Sequence, residues 1–398
     1  MSYDDALTIL LTLKDRGPFT FRWMTYASNV GLPFKVLVAD GGEDESVERA
    51  LGRSDTFPEV EYEYVRYPYD ETYSHYYAKL ADAVSRVQTP FIVLADNDDF
   101  YFVEGLRRSV EFLYGNPGYA SCRGVGGGFT VARTDANGFP SDVYGEDGVL
   151  TMPPPPPPVS DDTSSQRVSS HFSHYSPTYY DVHRTEDMLG CFRRLKDLGP
   201  DNVMLAELLT SFLTVAAGKV ERGPYLYLIR QQAVAGTNSQ IDRNRMGDVF
   251  DRMLVERWSD DYRGFERAVG EAIAQNDRIS MEDARLQVRQ GYRGYIAPVV
   301  VRDLSPHLPG RRQSALGNLK RKIVALDSAN VPRRVARRLY LGYGFVGTLF
   351  RRGAGTRQMS LSRPSDYQDE LRPVYDLLRA PPAEATGGLA QPTGAARP

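Results

Sequence analysis

Residues 96 to 99 read Asp-Asn-Asp-Asp, directly after the apolar run Phe91 to Ala95. Three carboxylates in four residues repel one another unless a cation or a proton relieves them. A hard divalent ion held by Asp96 and Asp98 and shared with substrate phosphates is one relief. The other is a helix N-cap or solvated turn, where Asp and Asn are favoured. A calcium loop does not fit, because Phe100 and Tyr101 stand where a third oxygen ligand and the turn glycine belong. Two further acids carry chemistry. Asp40 ends a second apolar run and precedes Gly41-Gly42, the place from which a carboxylate can hold a ribose hydroxyl or a base imide. Glu207 is conspicuous in the apolar stretch Asp201 to Val220, where a buried acid is costly without a partner. It either pairs with an arginine such as Arg193 or Arg194 or serves as a general base at a crevice wall.

These residues need elements to hold them. Leu7–Leu13 reads as a buried strand, and Phe19 to Val30 has helical spacing with Phe19, Trp23, Tyr26 and Val30 on one face. Strands are predicted at 34–39, 60–65 and 91–95, with helices from Glu43 to Leu51 and from Tyr73 to Val87 between them. Alternation of this kind, with short loops, predicts right-handed crossovers and an α/β doubly wound sheet whose carboxyl edge binds ligands. Residues 102–113 are expected to be helical. Residues 119–133, containing Gly124 and Gly126 to Gly128, read as a bulged strand or turn, or as a backbone cradle for a phosphate or saccharide.

Residues 135–170, with prolines 153 to 158, read as an insertion carrying a stiff extended spacer. Residues 170–184 read as a polar loop; His171, His174 and His183 lack the second ligand pair of a zinc site. Residues 225–230 are expected to form the strand that closes a domain of residues 1–235. A helical, basic region follows over 236–379, and a disordered tail over 380–398. Within 311–352 eleven arginines and lysines face a single acid, Asp327, with interspersed apolar residues suited to a membrane surface. A solvated face or an oligomer contact is the plainer alternative.

Composition narrows the class. A chain of 398 residues with net charge −3 has ample core and no overall attraction for nucleic acid. Cys122 and Cys191 are the only cysteines, so neither a disulfide framework nor a CxxC site is available. No apolar run approaches the ~20 residues that span a bilayer. Asp4 and Asp5 stand where a secretory signal would be basic. A cytoplasmic setting is expected, with peripheral contact at the inner face of the membrane through 311–352. No Gly-x-Gly-x-x-Gly follows the first strand and no phosphate-loop motif occurs, which argues against dehydrogenases and P-loop enzymes.

The segments Thr8 to Arg16, Val36 to Gly42 and Leu94 to Phe100 together resemble the nucleotide-binding half of a family 2-type glycosyltransferase with the GT-A fold. The first stands where that family has Pro-Thr-Tyr-Asn-Arg, with Leu11 and Leu13 replacing Pro and Tyr. The second is similar to its base-contacting Asp-Gly-Ser segment, and the third to its metal-binding Asp-x-Asp motif. The resemblance implies a GT-A-like mixed sheet flanked by helices, with a helical C-terminal extension. It implies a nucleotide diphosphate sugar donor, a UDP-sugar by preference, and a hydroxyl acceptor attacking with inversion. It places Asp96 and Asp98 on Mg²⁺ or Mn²⁺, with Asn97 between them, and Asp40 on the base or ribose. Thr12 and Asp15 would face the nucleotide, and Lys79 or Arg230 would add positive charge at the diphosphate. Asp99 would cap the next helix or face the acceptor. Glu207 would be the base, although Ala206 replaces the first acid of the family's Glu-Asp pair and keeps Asp201 and Asp187 as alternatives. Gln231 and Gln232 stand where relatives often have a histidine. Two other classes remain open: a sugar-phosphate nucleotidyltransferase using the same carboxylates, and a non-catalytic binding or assembly protein.

Overall fold

The computed structural model describes residues 3–53, 55–132, 143–232, 249–305 and 364–379. The basic segment 311–352 and the tail 380–398 lie outside them, as do 133–142 and 233–248. The first hundred residues alternate as expected: β1 (Leu7–Leu13), α1 (Gly17–Asn29), β2 (Lys35–Asp40), α2 (Glu45–Leu51), β3 (Tyr62–Arg66), α3 (Tyr73–Arg86) and β4 (Phe91–Asp96). There follow β5 (Asp99–Tyr101), α4 (Val103–Gly115), β6 (Tyr119–Ala132), β7 (Glu146–Thr151), α5 (Ser164–Ser173), β8 (Val182–Arg184), α6 (Thr185–Leu198), α7 (Val203–Ala217) and β9 (Lys219–Gln231). The remaining helices are α8 (Val249–Met253), α9 (Glu256–Asp277), α10 (Met281–Leu304) and α11 (Gln368–Arg379).

Among the described residues the strands form one mixed nine-stranded sheet, ordered β3-β2-β1-β4-β8-β6-β9-β5, with β7 paired to β6. Strands β3, β2, β1 and β4 are parallel, so residues 13–16, 40–42 and 96–99 leave the sheet at the same edge. Strand β1 is fully buried because both of its faces are covered. Its Ile9 and Leu11 meet Trp23, Met24 and Ala27 of α1, while Leu10 meets Leu80 and Val84 of α3 on the other face.

Closure of the sheet has a geometric cause. Four strand spacings separate β4 from β5, roughly 19 Å in a flat sheet. Only Asn97 and Asp98 join them in sequence, a link of at most about 11 Å. The sheet must curl, and the curl brings Arg230 of β9 opposite Asp99.

The break read over 135–170 contains two elements, β7 and α5. A capping box explains α5: Thr163 Oγ1 accepts the Gln166 N–H, and the Gln166 side chain accepts the Thr163 N–H. Val182–Arg184 is a short strand inside the expected polar loop. Strand β9 starts six residues earlier than the expected 225 and directly follows α7. Strand β6 is bulged, as anticipated, with register shifts against β9. Helices α9 and α10 share one apolar core with α3, α5, α6 and α7 through Phe172, Phe212, Phe265 and Tyr292. Helix α11 packs Leu371, Val374, Leu377 and Leu378 against Tyr26, Phe100 and Phe129.

His171 of α5 lies in this core at 1% exposure, between the rings of Tyr175 and Phe212. Neither of its ring nitrogens has a hydrogen-bond partner among the described residues. Burial holds its pKa down at about 3, against an ordinary 6.5. Between those values the unfolded chain binds a proton that the native chain refuses, so stability falls with pH at up to ~1.4 kcal/mol per unit. His171→Phe is therefore expected to stabilise by about 1–2 kcal/mol at pH 7. In urea unfolding at pH 7 and pH 5 the gain should be larger at pH 5, and equal gains would contradict this account.

Candidate nucleotide and metal site

The strand order reverses at β1, with β2 and β3 on one side and β4 on the other, which opens a crevice at their carboxyl ends. Asp96 ends β4 in register with Thr12 of β1, whose hydroxyl lies 3.5 Å from the Asp96 carboxylate. Ligand oxygens of Asp96, Asp98 and Asp99 all lie within 4.8 Å of one another. Asp98 and Asp99 are buried, while Asp96 is partly open.

Two arginines counter this charge. Arg16 meets Asp98 at 3.1 Å. Arg230 donates from Nε to Asp99 at 2.6 Å, reaches Asp96 at 3.5 Å, and lies 4.0 Å over the Tyr180 ring. The Tyr180 hydroxyl donates to Asp96 and accepts from Arg230. Burial raises the Asp99 carboxyl to about 7, with Arg230 pulling the other way. Asp99 does not cap the next helix: Phe102 occupies the α4 N-cap, and Asp99 accepts from Arg230 and from the Gln231 N–H. The expectation that a cation relieves the cluster is thus met in part by guanidinium groups.

The turn after β1 is conformationally unusual. Asp15 and Arg16 both adopt the left-handed region, with φ of 57° and 60°. Such residues cost ~1 kcal/mol or more each outside glycine. The Asp15 carboxylate repays part by accepting the Glu43 N–H at 2.6 Å, and the Arg16 carbonyl accepts the first α1 N–H groups. Asn97 faces this turn, donating to Thr20 Oγ1 at 3.0 Å and lying 3.5 Å from the Arg16 carbonyl. It braces α1 against the cluster. Buried Arg22 donates to the Asp98 carbonyl at 3.3 Å and to Val143 at 2.6 Å, fixing the same corner from behind.

Asp40 is buried at the end of β2. Its Oδ1 accepts the Gly42 N–H at 2.8 Å, and its Oδ2 accepts from Tyr64 at 2.7 Å and Arg66 at 2.8 Å. These bonds fix the buried Gly41–Gly42 turn, which packs closely against Asp70 and Asp15. Lys79 is 3% exposed, ion-paired with Asp70 and donating to the Leu13 carbonyl at 2.9 Å. Burial lowers its pKa, with Asp70 opposing. Its ammonium braces β1 from below and does not open onto the Asp96 corner.

Glu207 is exposed, whereas the apolar α7 sequence predicted burial. The helix is covered on its other faces by α5, α6 and α9, leaving this position at the rim. Neither Arg193 nor Arg194 is its partner; Arg194 pairs with Glu271 at 2.7 Å. Glu207 Oε1 accepts from Tyr175 at 2.9 Å, and the charge of Arg230 also reaches it. The alternatives stand elsewhere. Asp187 follows β8, whose Arg184 and His183 pair with Phe91 and Ile92 at the opposite end of β4. The Asp201 N–H donates to Asp261 of α9 at 3.1 Å.

Thus Thr12, Asp15, Asp40, Asn97, Asp96, Asp98 and Arg230 gather around one crevice, Glu207 lies at its rim, and Lys79 lies beneath it. Arg16, Tyr180 and Tyr175 were not singled out from the sequence. The tyrosines lie in the aromatic-rich stretch 172–180, and Arg16 ends the Thr8 to Arg16 segment that carries part of the resemblance. The donor set has the chemistry of a Mg²⁺ or Mn²⁺ site, since carboxylate oxygens are hard ligands. Because the three lie within 4.8 Å and two ~2.1 Å bonds span at most about 4.2 Å, a bound ion would draw them closer together. The described histidines and cysteines form no comparable cluster.

No family model matches the chain, and no curated protein matches it. Among solved structures it is similar to S. aureus TarS 1-349 in complex with UDP-GlcNAc, at 11% identity and TM-score 0.46, covering 79% of this chain and 78% of that one. Against the larger S. aureus TarS structure the TM-score is 0.43 at 11% identity, and the match spans 79% of this chain but 46% of that one. A mannosyltransferase from Pyrobaculum calidifontis, in complex with GDP-Man and Mn2+, is matched at 12% identity and TM-score 0.37 over 94% of this chain and 85% of the other. Likeness at this level assigns neither a reaction nor a ligand to the chain.

The charge balance yields a test. Arg230→Met leaves buried Asp99 without its guanidinium and is expected to cost about 2 kcal/mol, less than for a fully buried pair because the Arg230 side chain is 45% exposed. Adding Asp99→Asn should recover most of the loss in a double-mutant cycle read by urea unfolding. Additive losses would refute the pairing.

Proposed function

We propose that the chain is a metal-dependent glycosyltransferase with a GT-A-like fold, moving a sugar from a nucleotide diphosphate sugar to an acceptor hydroxyl. The observation that carries this reading is the three-carboxylate cluster at the reversal of strand order, with an accessible glutamate at the rim of the same crevice. Asp96 and Asp98 would hold Mg²⁺ or Mn²⁺, which supplies neutralising charge to a diphosphate leaving group. Asp40 and the Gly41–Gly42 turn receive the base or ribose, and Thr12 and Asp15 flank the nucleotide. Arg16 and Arg230 add positive charge at the phosphate end. Glu207 takes the proton of the attacking hydroxyl from the face opposite the leaving group, giving inversion. A UDP-sugar is the preferred donor class, and the early triphosphate-binding loop of a nucleotidyltransferase has no counterpart in residues 14–17. A non-catalytic binding protein would share the donor contacts and lack turnover.

Thermal-shift measurements against a panel of nucleotide sugars, with and without Mn²⁺, are expected to show metal-dependent stabilisation by one of them; no shift with any member would count against the proposal. Asp98→Asn should abolish metal-dependent donor turnover while leaving the folded state intact. Glu207→Gln should lower transfer by about 10²–10⁴-fold with donor binding retained. Loss of donor binding would move Glu207 among the nucleotide contacts.

A further inference from the structure

Tyr175 lies between α5 and β8, and its ring is held from three sides. His171 packs edge-on at 5.2 Å between centroids, Phe212 of α7 stacks at 6.1 Å with planes 12° apart, and Tyr295 of α10 packs edge-on at 5.3 Å. A ring so confined presents its hydroxyl in one direction, and that hydroxyl donates to Glu207 Oε1 at 2.9 Å. Among the described residues this is the one side-chain hydrogen bond that geometry gives Glu207, and the residue is exposed, which leaves Oε2 free to meet a ligand. We propose that Tyr175 is the positioning residue of Glu207: it pins one carboxylate oxygen and turns the other toward the acceptor. This rests on the reading of Glu207 as the base.

The groups facing Glu207 divide in their effects. Desolvation by the protein packed around it holds the Glu207 carboxyl above the ordinary carboxylate range, while the Tyr175 hydroxyl and, from β9, Arg230 pull it down. Tyr295 of α10 also lies within reach of its charge. Of these, only the Tyr175 hydroxyl is both hydrogen-bonded to Glu207 and locked in direction. Such a bond holds the carboxylate ionised at the pH where it must act as a base. Tyr175→Phe keeps the three ring contacts and removes the hydroxyl, and with it the bond to Glu207 and the contact with Ser211.

The test needs no knowledge of the acceptor. With ¹³C-labelled glutamate and the Glu207 signal assigned through Glu207→Gln, the carboxyl carbon is titrated by NMR in the full chain and in Tyr175→Phe. The midpoint is expected to rise by about 0.5–1 pH unit in the variant, while the unfolding temperature stays close to the parent's. The acid limb of kcat, measured with the donor selected by the nucleotide-sugar panel and water as acceptor, should move by the same amount with donor KM unchanged. An unchanged midpoint in a folded variant overturns the proposal. If Tyr175→Phe does not fold, 3-fluorotyrosine at position 175, a stronger donor, should lower the midpoint instead, and no movement there is equally decisive. Full turnover by Glu207→Gln would sink the base assignment and leave the Tyr175 titration standing, so the two failures are distinct.

Discussion

Three carboxylates meet within a single corner of this protein, and most of the surrounding architecture serves to make that meeting tolerable. Like charges at such distances can be kept ionised only by cations placed against them or by water. The described residues provide two guanidinium groups from distant parts of the sequence. Arg16 arrives from the turn after β1, and Arg230 from the end of β9. Each requires a local concession. Arg16 sits in a left-handed backbone conformation beside a second such residue, and Arg230 depends on a sheet curled enough to return β5 to β9.

The curl also decides what faces the cluster. Because β4 and β5 are joined by two residues yet lie far apart in strand order, the sheet folds toward itself and encloses Tyr180 against Asp96 and Arg230. The loop bearing Tyr180 is anchored from below by Asp181, which is fully buried between Arg222 and Ser121. A few residues upstream in the same loop, Tyr175 reaches Glu207 on α7. One short segment therefore touches both the acidic corner and the rim acid, through aromatic side chains whose bodies pack and whose hydroxyls bond. On the opposite side, Asn97, Arg22 and α11 brace the corner through α1 and Phe100. The site is held from both faces of the sheet, which suits a crevice that must keep charges in place without burying them completely.

Local pattern made much of this protein legible. Strands β1, β2 and β4 are buried on both faces, so their apolar runs stand out and their ends locate Thr12, Asp40 and Asp96 without any tertiary information. The parallel order of those strands follows from short connections and the handedness of crossovers, and it sends all three acidic or polar ends to one edge. Other features were hidden for physical reasons. The capping box at Thr163 is a four-residue signal that a polar, proline-rich surrounding obscured. The three-residue strand β8 is too short for periodicity to register.

What tertiary structure alone decided is the state of each charge. The sequence determined which acids exist and which strand ends carry them, because periodicity and strand spacing are local properties. It did not determine that Arg16 and Arg230 counter part of the cluster's charge, that Lys79 is committed to Asp70, or that Glu207 is exposed beside Tyr175. Those facts join residues up to 134 positions apart. Charge interactions depend on distance through space and on burial, and both are fixed only when the curled sheet and its flanking helices close around the crevice.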